Sequence, residues 1–379
     1  MNERGTGVLE QYELEVYRTC RARGAVLCET GKGLKLLKEW AGSRKRIWLE
    51  YEILSALEED AGIAVDNCMR NREGELLTVD GDQTVYVLRN WYEGRECSTR
   101  EPGEIQEAAR MLGKLHLAFE RFQKEGILES RHEKLAEEER KRQEEREKAR
   151  QTEAEQVEGE TSENDGETKQ PEWSRTEQPF RDGEETKEES LAATLERHNR
   201  ELKRTRSFVK GRKRKNGFEL MVIGGFEKFY RQAMEAAELA AGLSEIPEQG
   251  WCHGEYSHHH VLLGRNLCAV TDFSRLHKGV QVTDLYYFTR KILEKHRWNL
   301  RLGCQILDTY AAVRPMTGAE WQYLYILFLY PEKYWKQMNY YLNSNKAWIP
   351  ERNIDKLKVL ENQFEVRSCF LDELKLRTG

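Results

Sequence analysis

The chain has 379 residues, a formal net charge of −5 and 34% charged residues. This length can bury a large core and favours two lobes or domains, but a mean hydropathy of −0.81 is too polar for one compact globule throughout. The small net charge gives no general argument for binding nucleic acid or an anionic membrane. The N-terminal residues contain no apolar core of a secretory signal, and no apolar run approaches the length of a membrane helix.

The first quarter of the sequence predicts a small antiparallel sheet and one helix. Residues 25–28 form a short strand, 30–33 are its turn and 34–40 are the next strand. An apolar stripe predicts a helix from about Arg44 to Glu59. A second hairpin is expected within residues 67–88 because Gly-containing turns separate residues that alternate in hydropathy.

Residues 131–189 interrupt this pattern because charged and polar side chains dominate them. Such a segment cannot bury enough apolar area to offset a chain entropy of about 1–2 kcal/mol per residue. Its first part, to about Gln151, is interpreted as a solvated helix with i,i+4 ion pairs, and the rest as disordered. We therefore divide the chain into an N-terminal lobe (1–90), an inter-lobe connection with the start of the C-terminal lobe (91–130), this insertion, and a helical C-terminal lobe (190–379).

Helical periodicity dominates the remainder of the chain. The predicted helices are 104–124, 191–208, 218–242, 284–298, 303–313, 318–329, 331–343 and 353–376. A basic run, 210–215, is interpreted as a solvated helix end and not as a nucleic-acid site, since the neighbouring acidic insertion would screen an anion. Strands followed by helices predict a two-lobed α+β protein.

The most informative stretch runs from Trp251 to Leu276. It reads as two short strands with polar loops, which carry Glu255 and Asp272 beside one hairpin. Two carboxylates in this arrangement suit phosphoryl transfer, where one orients a hydroxyl and the other holds magnesium. The loop also contains four histidines, for which zinc binding and a polar loop with one buried orienting histidine remain alternatives: His253, His258, His259 and His260.

A cation for the phosphates would come from the N-terminal lobe. Lys38 lies on a predicted strand shortly before a helix, where a kinase-type lysine would stand. Glu50 on that helix has the spacing of its usual partner, with Glu52 as the reserve. The alternative is that these are ordinary surface lysine and helix glutamate side chains. No glycine-rich phosphate loop is visible.

The Trp251–Leu276 stretch resembles the catalytic core of the aminoglycoside/choline kinase-like proteins. Their pattern is His-Gly-Asp, four residues, Asn, an apolar strand and an Asp-containing turn. His253 and Gly254 match this pattern, and Asp272 matches the metal-binding Asp. Glu255 and His260 stand at the first Asp position and at the Asn position.

Three further segments resemble the CotS-type spore-coat proteins, a kinase-like family of endospore formers: Trp91 to Cys97, Arg197 to Lys203, and the hairpin from Gly31 to Lys38. The resemblance covers about residues 10–128 and 191–376. It implies a bilobal protein-kinase-like, aminoglycoside phosphotransferase-like fold. It also implies a role in building the spore coat, with other coat proteins as partners and a location first in the mother-cell cytoplasm and then in the coat.

Two functions follow from this resemblance and remain open. One is a coat-assembly protein whose nucleotide site is degraded, a pseudokinase, because Glu255 and His260 depart from the family pattern. The other is a phosphotransferase that uses ATP and Mg²⁺ on a small hydroxyl compound or a coat component. The expected site residues are Glu255 and His253 for catalysis, Lys38 and Glu50 for the nucleotide, and Asp272 and His260 for the metal.

Overall fold

The structure is a computed structural model that describes residues 5–22, 24–157, 189–344 and 351–378. Its N-terminal part is built around an antiparallel sheet and its C-terminal part is mainly helical, which confirms the predicted bilobal kinase-like architecture. A helix occupies the start of the charged insertion, where the sequence predicts one. The disorder predicted beyond Gln151 was wrong for residues 152–157, which continue this helix, and residues 158–188 lie outside the described residues.

In the described ranges the strands form three sheets, with the orders β1-β2-β3-β6-β5, β4-β10-β9-β7 and β11-β8. In chain order they are β1 (Val16–Ala22), β2 (Ala25–Thr30), β3 (Gly33–Glu39), β4 (Ala64–Val65), β5 (Thr78–Val79), β6 (Val85–Asn90), β7 (Arg95–Glu96), β8 (Gln249–Cys252), β9 (Val261–Gly264), β10 (Leu267–Val270) and β11 (His277–Val280).

The helices cover the predicted positions with small shifts at their ends. They are α1 (Arg44–Glu59), α2 (Pro102–Glu125), α3 (Ile127–Val157), α4 (Leu191–Gly211), α5 (Gly217–Ala241), α6 (Val282–Lys295), α7 (Leu300–Val313), α8 (Gly318–Leu329), α9 (Glu332–Asn343), α10 (Glu351–Asn362) and α11 (Phe364–Lys375). The single helix predicted for 353–376 was wrong, because the chain breaks at Gln363 into α10 and α11. None of the helices in the described ranges is long and apolar enough to cross a bilayer.

The register of β3 decides which of its side chains face the rest of the protein. Its pairing with β6 puts Lys38 and Arg89 on one face of the sheet. Leu37 lies on the opposite face, which the 3₁₀ helix Thr6–Gln11 covers. Arg89 reaches Glu50 on α1, so the face that carries Lys38 is the one turned toward that helix.

The second sheet connects the two lobes. Strand β4, which follows α1, pairs in parallel with β10, and β7 pairs antiparallel with β9. The hairpin β9–β10 is therefore held between two segments from the first hundred residues. Below it, the buried Tyr256 hydroxyl donates a 2.7 Å hydrogen bond to the Ala108 carbonyl of α2. This pairing fixes the loops at both ends of the hairpin relative to the N-terminal lobe.

Candidate active site

One buried carboxylate fixes the loop between β8 and β9. Asp284, in the first turn of α6, accepts hydrogen bonds from the backbone N–H groups of His253, at 2.7 Å, and Gly254, at 2.9 Å. The ring Nε2 of His116 lies 3.2 Å from the same carboxylate. Burial would raise the pKa of Asp284, but the hydrogen bond and charge of His116 outweigh it and hold the pKa below its usual value. Asp284 therefore steadies the loop between β8 and β9.

Gly254 is required where it stands. Its φ of +83° lies in the left-handed region, and a Cβ added there would collide with the carbonyl of Arg275. Any residue with a Cβ would be strained by this φ and would clash with the Arg275 carbonyl. Only glycine therefore fits between His253 and Glu255 without moving the neighbouring chain.

His253 lies inside the protein and orients the loop. It is fully buried, its Nε2 donates to the Thr271 carbonyl at 3.0 Å, and its Nδ1 accepts from the backbone N–H of Glu255 at 3.3 Å. Burial lowers the pKa of His253 to about 4, so the imidazole is neutral near pH 7. The two ring nitrogens thus hydrogen-bond the backbone before β9 and after β10.

Glu255 and His260 occupy the mouth of this loop. The Glu255 side chain is exposed. His260 Nδ1 donates to the Glu255 carbonyl at 2.9 Å, which leaves the lone pair of Nε2 directed toward Asp272 Oδ2 at 3.6 Å. Two acceptor atoms that face each other in this way are complementary to a cation between them.

Asp272 is held in a constrained backbone conformation by residues of the N-terminal lobe. It has φ 63° and ψ 66°, an unusual region for a residue other than glycine. Its backbone N–H donates to Asp66 Oδ2 at 3.0 Å. Arg46 of α1 donates to the carbonyls of Phe273 and Ser274, both at 3.3 Å. The conformation therefore depends on contacts that span the two lobes.

Lys38 and Asp272 act on each other electrostatically. Burial would raise the pKa of Asp272, but a hydrogen bond from Ser274 and the charge of Lys38 oppose burial, and the pKa lies below its usual value. Lys38 lies on the face of the sheet that is turned toward α1, and Arg46 of α1 contacts the loop after Asp272. That the lysine and the carboxylate share one site stays a prediction. Within the described ranges Lys38, which is exposed, has no ion pair within 4 Å.

Glu50 is placed differently from its predicted role beside Lys38. Its Oε1 accepts a 2.7 Å hydrogen bond from Arg89, and both side chains are buried. Arg89 also donates to the Asp66 carbonyl at 3.1 Å. Burial raises the pKa of Asp66 to about 7, in spite of the Arg89 charge and with a contribution from Glu50. The Arg89 guanidinium thus bonds the Glu50 carboxylate and the backbone carbonyl of Asp66, while the Asp66 carboxyl accepts from the backbone of Asp272.

The histidines of the loop do not assemble a zinc site. His253 is engaged in the interior, His259 pairs with Glu96, and His258 Nε2 lies 2.9 Å from Lys295 Nζ. In the part of the chain that the structure describes, no group of three or more His, Cys, Asp or Glu side chains could hold a metal ion. A divalent cation would therefore rely on Asp272, His260 and oxygens from its ligand.

Sequence reasoning missed the residues that support the loops of this site through buried contacts: Asp66, Arg89, His116 and Arg46. A weak signal exists for Asp66, because it follows the apolar run Ile63 to Val65, and an acid directly after a buried strand often lies at a site. The other three have no local signal, since their partners lie from 39 to more than 200 residues away in the sequence.

No protein-family model matches the sequence, and no curated protein matches it. Solved structures do match. An aminoglycoside phosphotransferase from Alicyclobacillus acidocaldarius superposes with a TM-score of 0.73 at 14% identity, over 100% of this chain and 97% of that chain.

Two further structures contain nucleotides. A spectinomycin phosphotransferase, in complex with ADP and spectinomycin, has a TM-score of 0.53 at 10% identity and covers 95% of this chain and 96% of that chain. An amicoumacin kinase, in complex with AMP-PNP, Ca²⁺ and Ami, has a TM-score of 0.51 at 12% identity and covers 97% of this chain and 94% of that chain. At these identities the likeness shows the fold, and the chain has the bilobal fold of the aminoglycoside phosphotransferases.

Replacing Asp284 should lower the free energy of unfolding of the protein. Asp284→Ala leaves two buried backbone N–H groups and His116 without their acceptor, which should cost about 3–5 kcal/mol of unfolding free energy. Asp308→Ala removes an exposed partner of Arg377 and should cost less than about 1 kcal/mol. Urea denaturation of both variants measures the difference, and equal losses would contradict the role of Asp284.

Asp66 should make stability depend on pH. Its pKa is about 7 in the folded protein and about 3.8 when unfolded, so between these values the folded state keeps a proton that the unfolded state has lost. The stability contributed by Asp66 is therefore complete at acid pH and is lost as the pH rises toward 7. Relative to Asp66→Asn, the wild type should lose about 2–3 kcal/mol between about pH 5 and pH 8. Denaturant unfolding at several pH values measures this difference, and a constant difference would contradict it.

Proposed function

We propose that the chain is a phosphotransferase that binds ATP with a divalent cation between its lobes and transfers the γ-phosphoryl group to a hydroxyl. The observation that carries this proposal is that the hairpin with Asp272 is bound to the N-terminal lobe next to the helix that the Lys38 face of the sheet is turned toward. Asp272 N–H donates to Asp66, and Arg46 of α1 donates to the carbonyls of Phe273 and Ser274. A cation and a carboxylate from opposite lobes are the two groups that a bound triphosphate and its metal require.

In this proposal Glu255 acts on the acceptor. Its exposed carboxylate orients the acceptor hydroxyl and takes the proton while the hydroxyl oxygen bonds to the γ-phosphorus. The bond from the γ-phosphorus to the bridging oxygen breaks, and ADP leaves with that oxygen. His253 is a positioning residue, because it is buried and accepts a hydrogen bond from the backbone of Glu255. Lys38 would neutralise phosphate charge.

Asp272 and His260 fit a divalent cation. The Asp272 carboxylate and the free Nε2 of His260 face each other at 3.6 Å, and the remaining ligands would be phosphate oxygens and water. Such a cation would neutralise charge on the transferred phosphoryl group. Glu50 would act indirectly, by holding the buried Arg89 with which it pairs.

A second candidate is the pseudokinase of a spore coat, which would act by binding coat proteins in the mother-cell cytoplasm and then in the coat. It is favoured by the pairing of Glu50 with Arg89 and not with Lys38. Glu255 and His260, at positions where the kinase-like pattern has Asp and Asn, support it as well. The two candidates share a fold and differ in whether bound nucleotide turns over.

A thermal-shift titration with ATP and Mg²⁺ tests the proposal. Ligand at roughly 100 times its Kd should stabilise the protein by about 2.7 kcal/mol, because only the folded state binds it. Lys38→Met and Asp272→Asn should reduce the shift, whereas Lys32→Met, in the exposed turn before β3, should leave it unchanged. Glu255→Gln should keep the shift and lower the rate of ADP release with acceptor by about 100-fold.

The outcomes separate the candidates. A shift that depends on Asp272 together with turnover that depends on Glu255 supports the phosphotransferase. A shift without turnover supports the pseudokinase. No shift in the wild type, or a shift that Asp272→Asn leaves intact, contradicts a nucleotide site at this position.

The imidazole of His260 should change which metal is preferred. Magnesium favours oxygen ligands, whereas metals later in the first transition row bind imidazole more readily. We expect Mn²⁺ with ATP to stabilise the wild type more than Mg²⁺ with ATP. His260→Asn should narrow this difference, and His277→Asn, an exposed histidine of β11, should not. A metal preference that is the same in wild type and His260→Asn would contradict a role for the imidazole.

A further inference from the structure

Helix α4 has one buried side and one exposed, basic side. The buried positions recur every three or four residues and pack against α5 and α9: Leu195, Asn199, Leu202, Thr205 and Val209. From Arg200 to the end of the helix, every exposed charged side chain is basic, and the loop that follows continues the pattern. We define the basic face of α4 by six exposed cations: Arg200, Lys203, Arg204, Lys210, Lys213 and Arg214.

These six cations have no counter-charge on the surface that the structure describes. Other cations of the same region are paired: Arg197 with Glu189, Arg206 with Glu227 and Arg212 with Glu219. Among the described residues, no carboxylate lies within 4 Å of any member of the basic face. Like charges one helical turn apart repel each other, as Arg200 and Arg204 do, so the basic face favours an anion beside it.

The sequence that leads into α4 is acidic. Residues 158–188, which we call the acidic segment, lie outside the described residues, and their sequence holds eleven acidic and four basic side chains. The segment thus has a formal net charge of −7, against −5 for the whole chain. Its first ten residues hold five acids and no base. The acidic segment therefore accounts for all of the net negative charge of the protein, and the other residues together are slightly basic.

Glu189, the first described residue after the acidic segment, already lies against α4. Its carboxylate is 3.0 Å from Nη2 of Arg197 and accepts a 3.2 Å hydrogen bond from the Thr194 hydroxyl. Arg197 and Arg204 are seven residues apart, which is about two turns, so they lie on the same side of the helix. The chain therefore enters α4 along the side that carries the basic face.

The acidic segment is long enough to follow this side of the helix. Helix α4 has 21 residues, so it is about 32 Å long at roughly 1.5 Å per residue. An extended chain spans about 3.3 Å per residue, so roughly ten residues before Glu189 can run beside the whole helix. Those ten include four acids: Asp182, Glu184, Glu185 and Glu188. Because the segment is covalently attached, its effective concentration at α4 is on the order of millimolar, and several weak ion pairs suffice for binding.

We infer that the acidic segment binds the basic face of α4 within the same chain. The bound segment supplies the carboxylates that the six cations lack on the folded surface. It also competes with any polyanion from outside for this surface, which agrees with the interpretation of residues 210–215 as a poor nucleic-acid site. The contact does not depend on phosphoryl transfer. Because its ion pairs are exposed to solvent, salt should weaken it.

Carbodiimide cross-linking of the full chain tests this contact, because the reagent joins a carboxylate to a lysine amine where the two touch. We expect links from carboxylates of residues 158–188 to Lys203, Lys210 or Lys213, and none to Lys278, an exposed lysine of β11. Sodium chloride at about 1 M, where the screening length is about 3 Å, should remove them. Mass spectrometry of an equal mixture of unlabelled and ¹⁵N-labelled protein distinguishes links within one chain from links between copies.

Two matched double variants test the basic face itself. Arg200→Glu with Arg204→Glu reverses two exposed charges and keeps all three cross-linking lysines, so the yield of links should fall about tenfold. Arg297→Glu with Arg301→Glu makes the same charge change four residues apart, at two exposed positions before and in α7, and should preserve the yield. Equal yields in the two double variants would contradict a role for the basic face.

Binding of fluorescent poly-L-glutamate gives an independent measurement. Replacing the eleven acids of the acidic segment by Asn or Gln alters none of the described residues and should let the probe bind about tenfold or more tightly than to the wild type. Arg200→Glu with Arg204→Glu in this background should remove that gain. The inference is overturned by equal probe affinity with and without the acids, by absence of the expected links at low salt, or by links that form mainly between labelled and unlabelled copies.

Discussion

The buried carboxylate of Asp284 is the constraint on which the candidate site depends. A charged group in the interior is stable only when hydrogen bonds replace its lost water, and here two backbone N–H groups and His116 do so. The same bonds that satisfy Asp284 set the path of the chain at His253 and Gly254. The exposed Glu255 therefore projects from a loop whose backbone is fixed from below by the core of the C-terminal lobe.

Asp272 is held from the opposite side. Its left-handed backbone is sustained by Asp66, and the loop after it by Arg46, so both supports come from the N-terminal lobe. Asp66 in turn lies in the buried group with Arg89 and Glu50. A movement of α1 relative to the hairpin would thus reach the loop after Asp272 through Arg46. The position of Asp272, the proposed metal ligand, therefore depends on how the two lobes lie relative to each other.

The sequence predicted local structure well and long-range partners poorly. Helix α1 begins and ends where periodicity puts it, and the hairpin around β2 and β3 follows from its turn residues. Helix spacing also made Glu50 a reasonable partner for Lys38. The pairing of β3 with β6 could not be read locally, however, and it puts Arg89 on the same face, where its guanidinium reaches Glu50. Strand β11 was missed for the same reason, because among the described residues it pairs with β8 alone, more than twenty residues earlier.

The basic face of α6 shows why charge must be judged together with its partners. Counted along the sequence, residues 290 to 295 hold three cations and one acid and resemble any solvated helix. The fold removes Arg290 from this count by pairing it with Glu294 and Glu332. Lys295, which the same count leaves over, is hydrogen-bonded to Nε2 of His258. A count of cations along the helix therefore overstates the free positive charge that the folded surface carries.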